Sequence, residues 1–177
     1  MKSMTRVFAA LSMSFCFTVM VHAQVIAAGT YSNMIHKGEC TGYSVELWKS
    51  GTQMFGLLFS CNGQEGDTPV GVTDHVAYDA TSGKLSFDAR LTLGADFIDA
   101  DHQPPSKDYF KFDGVLTARL LSGNLYHEDR ADPSSKPSTI AVKLALLKDK
   151  PSPDHYATQA AWLAANQPML DNSGPKW

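Results

Sequence analysis

The sequence predicts an all-β chain, an antiparallel meander of about eight strands that closes into a barrel or a two-sheet sandwich, with one C-terminal α-helix packed outside. Three observations predict it. Short alternating apolar segments separated by turn residues run from Val25 to Lys148. No strand–helix–strand rhythm and no long repeat interrupts them, so consecutive strands pair as hairpins. The only helical pattern comes after the last strand.

The first residues read as a leader. Lys2 and Arg6 precede an apolar run from Val7 to Val21, and Val21-His22-Ala23 offers a small-x-small cleavage site before Gln24. The run is short for a membrane span. Cys16 follows the bulky Phe15, which is wrong for a lipidation signal. The expected domains are 1–23 as a removed signal peptide, 24–150 as the β-domain, and 151–177 as its C-terminal helix and tail. Cleavage removes two positive charges and moves the net charge from −3 to −5. A mildly acidic exported chain without a basic run, periplasmic or secreted, suits neither nucleic acid nor membrane insertion, and suits a basic partner better.

Strands are expected near 25–32, 42–49, 52–60, 70–78, 84–93, 109–117, 119–127 and 138–148. Only Cys40 and Cys61 survive cleavage, which in an exported chain means one disulfide. A hairpin turning at Ser50-Gly51 sets the two cysteines directly opposite each other, and likewise Leu47 with Met54 and Glu46 with Phe55. Val70, Val72, Val76 and Tyr78 alternate, as do Leu85, Phe87, Ala89, Leu91 and Leu93; Phe110, Phe112 and Leu116 share one side of the next strand, and Leu121 and Leu125 follow after a turn near Ala118-Arg119. Two long loops, 94–108 and 128–138, break the meander. The helix is expected to be capped by Ser152 or Asp154, to carry a Tyr156, Ala160, Leu163, Ala164 stripe, and to end at Pro168. The tail to Trp177 is expected to be loose.

Gly29-Thr30-Tyr31 at the first strand, the eight-strand meander and the trailing helix together resemble the lipocalin and avidin-like, calycin-type small barrels. The resemblance implies an up-and-down barrel and, as one option, a small apolar ligand carried inside it. No site residue is implied by it.

Chemistry is sparse. His36, His75, His102, His127 and His155 are scattered without metal-ligand spacing, and the acidic loop 94–108 lacks the glycine and distal glutamate of a calcium loop, so no metal is expected. No nucleophile motif, dinucleotide fingerprint or phosphate loop is present, so no cofactor and no enzyme is expected. An acid pair such as Asp74 with Asp88 matters only if buried, and a buried acid or histidine dyad over a substrate-sized hollow would point to an enzyme.

The 42–60 hairpin is apolar on both faces, with Tyr43, Val45, Leu47, Met54 and Leu58 on one and Trp48, Phe55, Leu57 and Phe59 on the other. The helix either covers the outer face or leaves it exposed for a partner. The favoured function is an exported, non-catalytic binding protein, an inhibitor or immunity-type module that occludes a partner protein. Its candidate contacts are Trp48, Phe55 and Phe59 with Asp96, Asp99, Asp101 and His102. The alternative is a carrier whose apolar ligand is lined by Val72, Val76, Phe87, Leu91, Phe112 and Leu125. A second alternative is an enzyme whose acid/base pair the sequence does not display.

Overall fold

The computed structural model describes residues 24–63, 68–95, 103–132, 134–149 and 151–177. The expected leader, and with it the expected cleavage site, lies outside the described residues. Strands β1 (Val25–Ser32), β3 (Cys40–Ser50), β4 (Gln53–Gly63), β5 (Val70–Tyr78), β6 (Lys84–Leu91), β7 (Asp108–Leu116), β8 (Leu120–Asp129) and β9 (Ser138–Leu146) form a closed eight-strand antiparallel barrel. Two short strands extend it, β2 (Ile35–His36) beside β3 and β10 (His155–Tyr156) beside β1. Closure runs through Tyr31, whose register partners are Val45 on β3 and Leu146 on β9. Closing the sheet leaves β1 and β9 with partners in place of free edges. Helix α1 (Gln159–Ser173) lies outside.

The alternating segments fold where their pattern put them, because each strand sends every second side chain into one shared interior. That interior holds Tyr31, Leu47, Leu58, Leu85, Phe87, Leu91, Phe110, Phe112, Leu121 and Leu144, all nearly inaccessible to solvent. Phe87 stacks on Phe112 with ring centroids 5.1 Å apart, so large rings meet across the barrel. Gly29 takes φ +142°, and a Cβ there would press on Leu146 Cδ1 and the Tyr31 ring. The first glycine of the Gly-x-aromatic segment therefore makes room for the ring two residues on.

Four expectations are corrected. The β3–β4 turn is Gly51-Thr52, with Gly51 at φ +59°, so Ser50 pairs with Gln53, Trp48 with Phe55 and Leu47 with Gly56. Cys40 pairs with Gly63 and Cys61 with Gly42; the bridge is diagonal, with Cα atoms 5.5 Å apart. A shift of two preserves which face each side chain occupies, which is why the disulfide forms all the same. Second, Val72 does not share a face with Val76. A bulge between Asp74 and Ala77, with His75 at φ +49°, flips the strand, so Val70 and Val72 face outward while Val76 and Tyr78 join the interior cluster.

Third, α1 begins later than expected. Thr158 caps it through its hydroxyl, which accepts from Ala161 N; Tyr156 sits on β10, Pro168 lies inside the helix, and Gly174 ends it. The packing residue is Trp162, with Met169 and Leu170 behind it, and Leu163 is largely exposed. Fourth, the tail is pinned. Trp177 Nε1 donates to Leu91 O at 2.9 Å, Lys176 N donates to Thr92 Oγ1 at 2.9 Å, and Arg90 lies over the Trp177 ring.

Candidate functional site

The outer aromatic face is closed off. Trp48 and Phe55 are 1 % and 3 % exposed beneath Trp162, whose ring centroid lies 4.8 Å from Phe55 and 6.4 Å from Trp48. Phe59 is half-buried against the same cluster. The two greasy faces of this hairpin thus serve two cores, one inside the barrel and one under the helix. Of the two outcomes open for this face, Trp48 and Phe55 take the covered one and are not exposed partner contacts, because α1 supplies an apolar partner for them. Glu46 stands at the rim of this contact, accepting from Trp48 Nε1 at 2.6 Å; burial pushes its carboxyl up, and that hydrogen bond only partly offsets the shift.

The interior set is divided. Val76, Phe87, Leu91, Phe112 and Leu125 do face inward, but into packed side chains; Val72 faces α1. The hollows found, about 200 to 320 Å³ each, open outside the barrel or at its turn end. One lies between β5, β6 and α1, lined by Val72, Asp74, Arg90, Leu163, Leu170 and Asp171. Asp74 and Asp88 do meet in register, on the outer surface, where Arg90 lies 3.5 Å from Asp74 and His75 Nδ1 lies 3.1 Å from Asp88. Asp96, Asp99, Asp101 and His102 lie outside the described residues.

The two ends of the barrel differ. One end carries the tight connections 51–52, 79–83 and 117–119. The other carries the connections 33–39, 64–69, 92–107 and 130–137, together with the Cys40–Cys61 bridge. In an up-and-down meander alternate connections share an end, so topology gathers all the long ones there.

At this mouth sits a buried polar cluster that the sequence reading missed. Asp108 faces inward on the first turn of β7's pleat and is 3 % exposed. Its Oδ1 lies 2.6 Å from His127 Nε2, and its Oδ2 accepts from Ser106 Oγ at 2.5 Å and from Leu93 N at 2.9 Å. Ser106 Oγ in turn accepts from Leu93 N and Gly94 N at 3.0 and 3.2 Å. His127 stacks on Phe110 at 4.5 Å, and Tyr43 meets Phe110 edge-on at 6.1 Å. Burial alone pushes the Asp108 carboxyl up, but the hydrogen bonds from His127, Ser106 and Leu93 N outweigh it and hold the group below the usual carboxylate range. The carboxylate therefore stays ionised, His127 carries its proton on Nε2, and Nδ1 has no partner among the described residues.

A parity argument could have found this cluster. The β7–β8 turn sets His127 opposite Phe110, one inward position from Asp108, and an inward Asp next to an inward His is a buried pair waiting for donors.

At the same rim, opposite Asp108 in register, a second carboxylate ties the connections. Asp129 Oδ1 accepts from Ala131 N at 2.9 Å and from Lys107 N at 3.2 Å. Arg130 is pre-ordered beside it, with its guanidinium 3.6 Å from the Tyr109 ring centroid and Nε donating to Glu128 at 3.2 Å. Chemically the mouth offers a held imidazole, and the outer wall beside it a guanidinium stacked on Tyr109. Among the described residues no group of three or more metal-ligating side chains comes together.

No protein family, curated protein or solved structure compared with the chain matches it. The closed eight-strand antiparallel barrel is compatible with a calycin-like barrel.

Proposed function

We propose that the chain is an exported, non-catalytic binding protein that occludes a partner protein with the mouth of its barrel. The observation that supports this best is the asymmetry of the two ends. Large side chains pack together in the barrel interior, the outer aromatic face lies under α1, and the strand ends that flank the long connections lie at one stapled end where rim side chains are held in place. Binding loops on a rigid scaffold are a common way to build a recognition surface, and pre-ordered Arg and Tyr side chains lower the entropy cost of contact. The chain's negative charge favours a basic partner overall, with Arg130 and Tyr109 as local contacts.

The test is site-specific photo-crosslinking in the exporting cell. A crosslinking residue at Arg130 should trap a discrete protein, and one at Thr81 on the turn end should not. Trapping at both positions alike, or at neither, refutes the mouth as the binding end.

One observation favours the enzyme alternative, the pairing of the buried Asp108 with the partly exposed His127. An aspartate also orients a histidine in acyl-transfer triads, there through Nδ1 and here through Nε2. Here, however, Ser106 bonds to the aspartate and not to the imidazole, and none of the hollows found is lined by Asp108 or His127. Hydrolysis of ester or peptide substrates by the purified chain, abolished by His127→Ala, would establish that alternative.

A further inference from the structure

We propose that Asp108 and His127 form a proton-released latch on the neck of the β6–β7 connection: the ionised carboxylate fastens Leu93, Gly94 and Ser106 to the barrel rim, and acid unfastens them. The neck is the described part of that connection. Leu93 N donates to both Ser106 Oγ and Asp108 Oδ2, Gly94 N donates to Ser106 Oγ, Ser106 N donates back to Gly94 O at 2.9 Å, and Ala95 bridges Pro105. The bonds from Leu93 N, Gly94 N and Ser106 Oγ all run to Asp108 or to the hydroxyl that Asp108 holds.

The chemistry of the acceptor makes the hold depend on its charge. An ionised carboxylate is acceptor-only and matches the three donors that converge on it, namely Ser106 O–H, Leu93 N–H and His127 Nε2–H. A protonated carboxyl brings a fourth donor into a site that has no acceptor to spare, in a position 3 % exposed.

The neighbouring charges do not replace that hold. On β8, His127 is already counted, and Asp129, opposite Asp108 in register, is occupied by Lys107 N and Ala131 N. On β6, Arg90 is engaged with Asp74 and Trp177. On β3, Tyr43 touches Phe110 and has its hydroxyl pushed up by burial. On the neck itself is Lys107, and among the described residues no lysine or arginine pairs with Asp108. The depressed Asp108 carboxyl gives the sign: the hold is complete above the ordinary carboxylate value of about 4 and is lost as pH falls through the lower folded value. From neutral to mildly acid pH the mouth stays fastened.

The latch belongs to the free chain, so its test needs no partner and is independent of the binding proposal. Amide exchange by NMR, expressed as protection factors from pH 7 to pH 3, reads it directly. The amides of Leu93, Gly94 and Ser106 should begin to lose protection below about pH 4, by up to about tenfold at pH 3, the limit for uptake of one proton. Amides of the β6–β7 ladder, such as Phe87 and Ala89, should keep theirs. Asp108→Asn should show the low neck protection at every pH. Ser106→Ala and His127→Phe, which remove one donor each, should move the release to higher pH. Neck protection flat to pH 3, a fall that coincides with the ladder amides, or wild-type protection in Asp108→Asn each overturns the latch.

Discussion

Trp162 should be the residue that holds α1 on the barrel, and replacing it separates two effects of opposite sign. It is the only buried residue of the helix, 2 % exposed, and it packs edge-on against Phe55 and tilted against Trp48. A buried aromatic of this size removes about 200 Å² from water, worth about 5 kcal/mol at 25 cal/mol per Å². Trp162→Ala should therefore cost about 3–5 kcal/mol, within the usual range for an aromatic truncated in a core. Its indole N–H, however, is buried and has no hydrogen-bond partner among the described residues. An unsatisfied buried donor costs about 1–3 kcal/mol. Trp162→Phe keeps most of the ring contact and deletes that donor, so the two terms offset and stability should change by less than about 1 kcal/mol. Urea unfolding followed by far-UV circular dichroism measures both variants, with limited proteolysis reporting release of 157–177. A Trp162→Ala loss under about 1 kcal/mol, or a Phe variant as damaged as the Ala variant, would refute the reasoning.

Three further outcomes follow from particular contacts. Reducing Cys40–Cys61, or replacing both with Ala, should cost about 3 kcal/mol by freeing a 21-residue loop in the unfolded chain, read as a lower urea midpoint with an intact barrel spectrum. His75→Val should destabilise by about 1–2 kcal/mol, because a β-branched side chain tolerates φ +49° poorly, whereas His75→Asn should be nearly neutral. Glu46→Gln should raise the urea midpoint at pH 7 and leave it unchanged near pH 3.5: the folded carboxyl is raised, so its ionised form burdens the fold only above the ordinary carboxylate range, and the amide oxygen still accepts from Trp48 Nε1.

The sequence by itself determined the all-β class, the eight barrel strands to within a few residues, the Cys40–Cys61 pairing and a helix after the last strand. Each rests on a local signal: period-two alternation, turn residues, and two cysteines separated by one hairpin. Only the tertiary structure decided the hairpin register, the flip at His75, the burial of Trp48 and Phe55, and the Asp108 cluster. The Ser50-Gly51 and Gly51-Thr52 turns put the same side chains on the same faces, so patterning alone does not separate them; the ladder fixes one. The bulge at His75 leaves the apolar alternation of β5 intact in the sequence while reversing its meaning, because both faces of that strand find an apolar neighbour. Trp162 lay outside the stripe expected of the helix, since the start set by Thr158 rotates a different side chain onto the barrel. Asp108, Ser106 and His127 are ordinary surface residues when read singly. Closure of the barrel and the return of the neck bring them together, and burial of Asp108 and Ser106 obliges that carboxylate to take its donors from these neighbours, the partly exposed His127 among them.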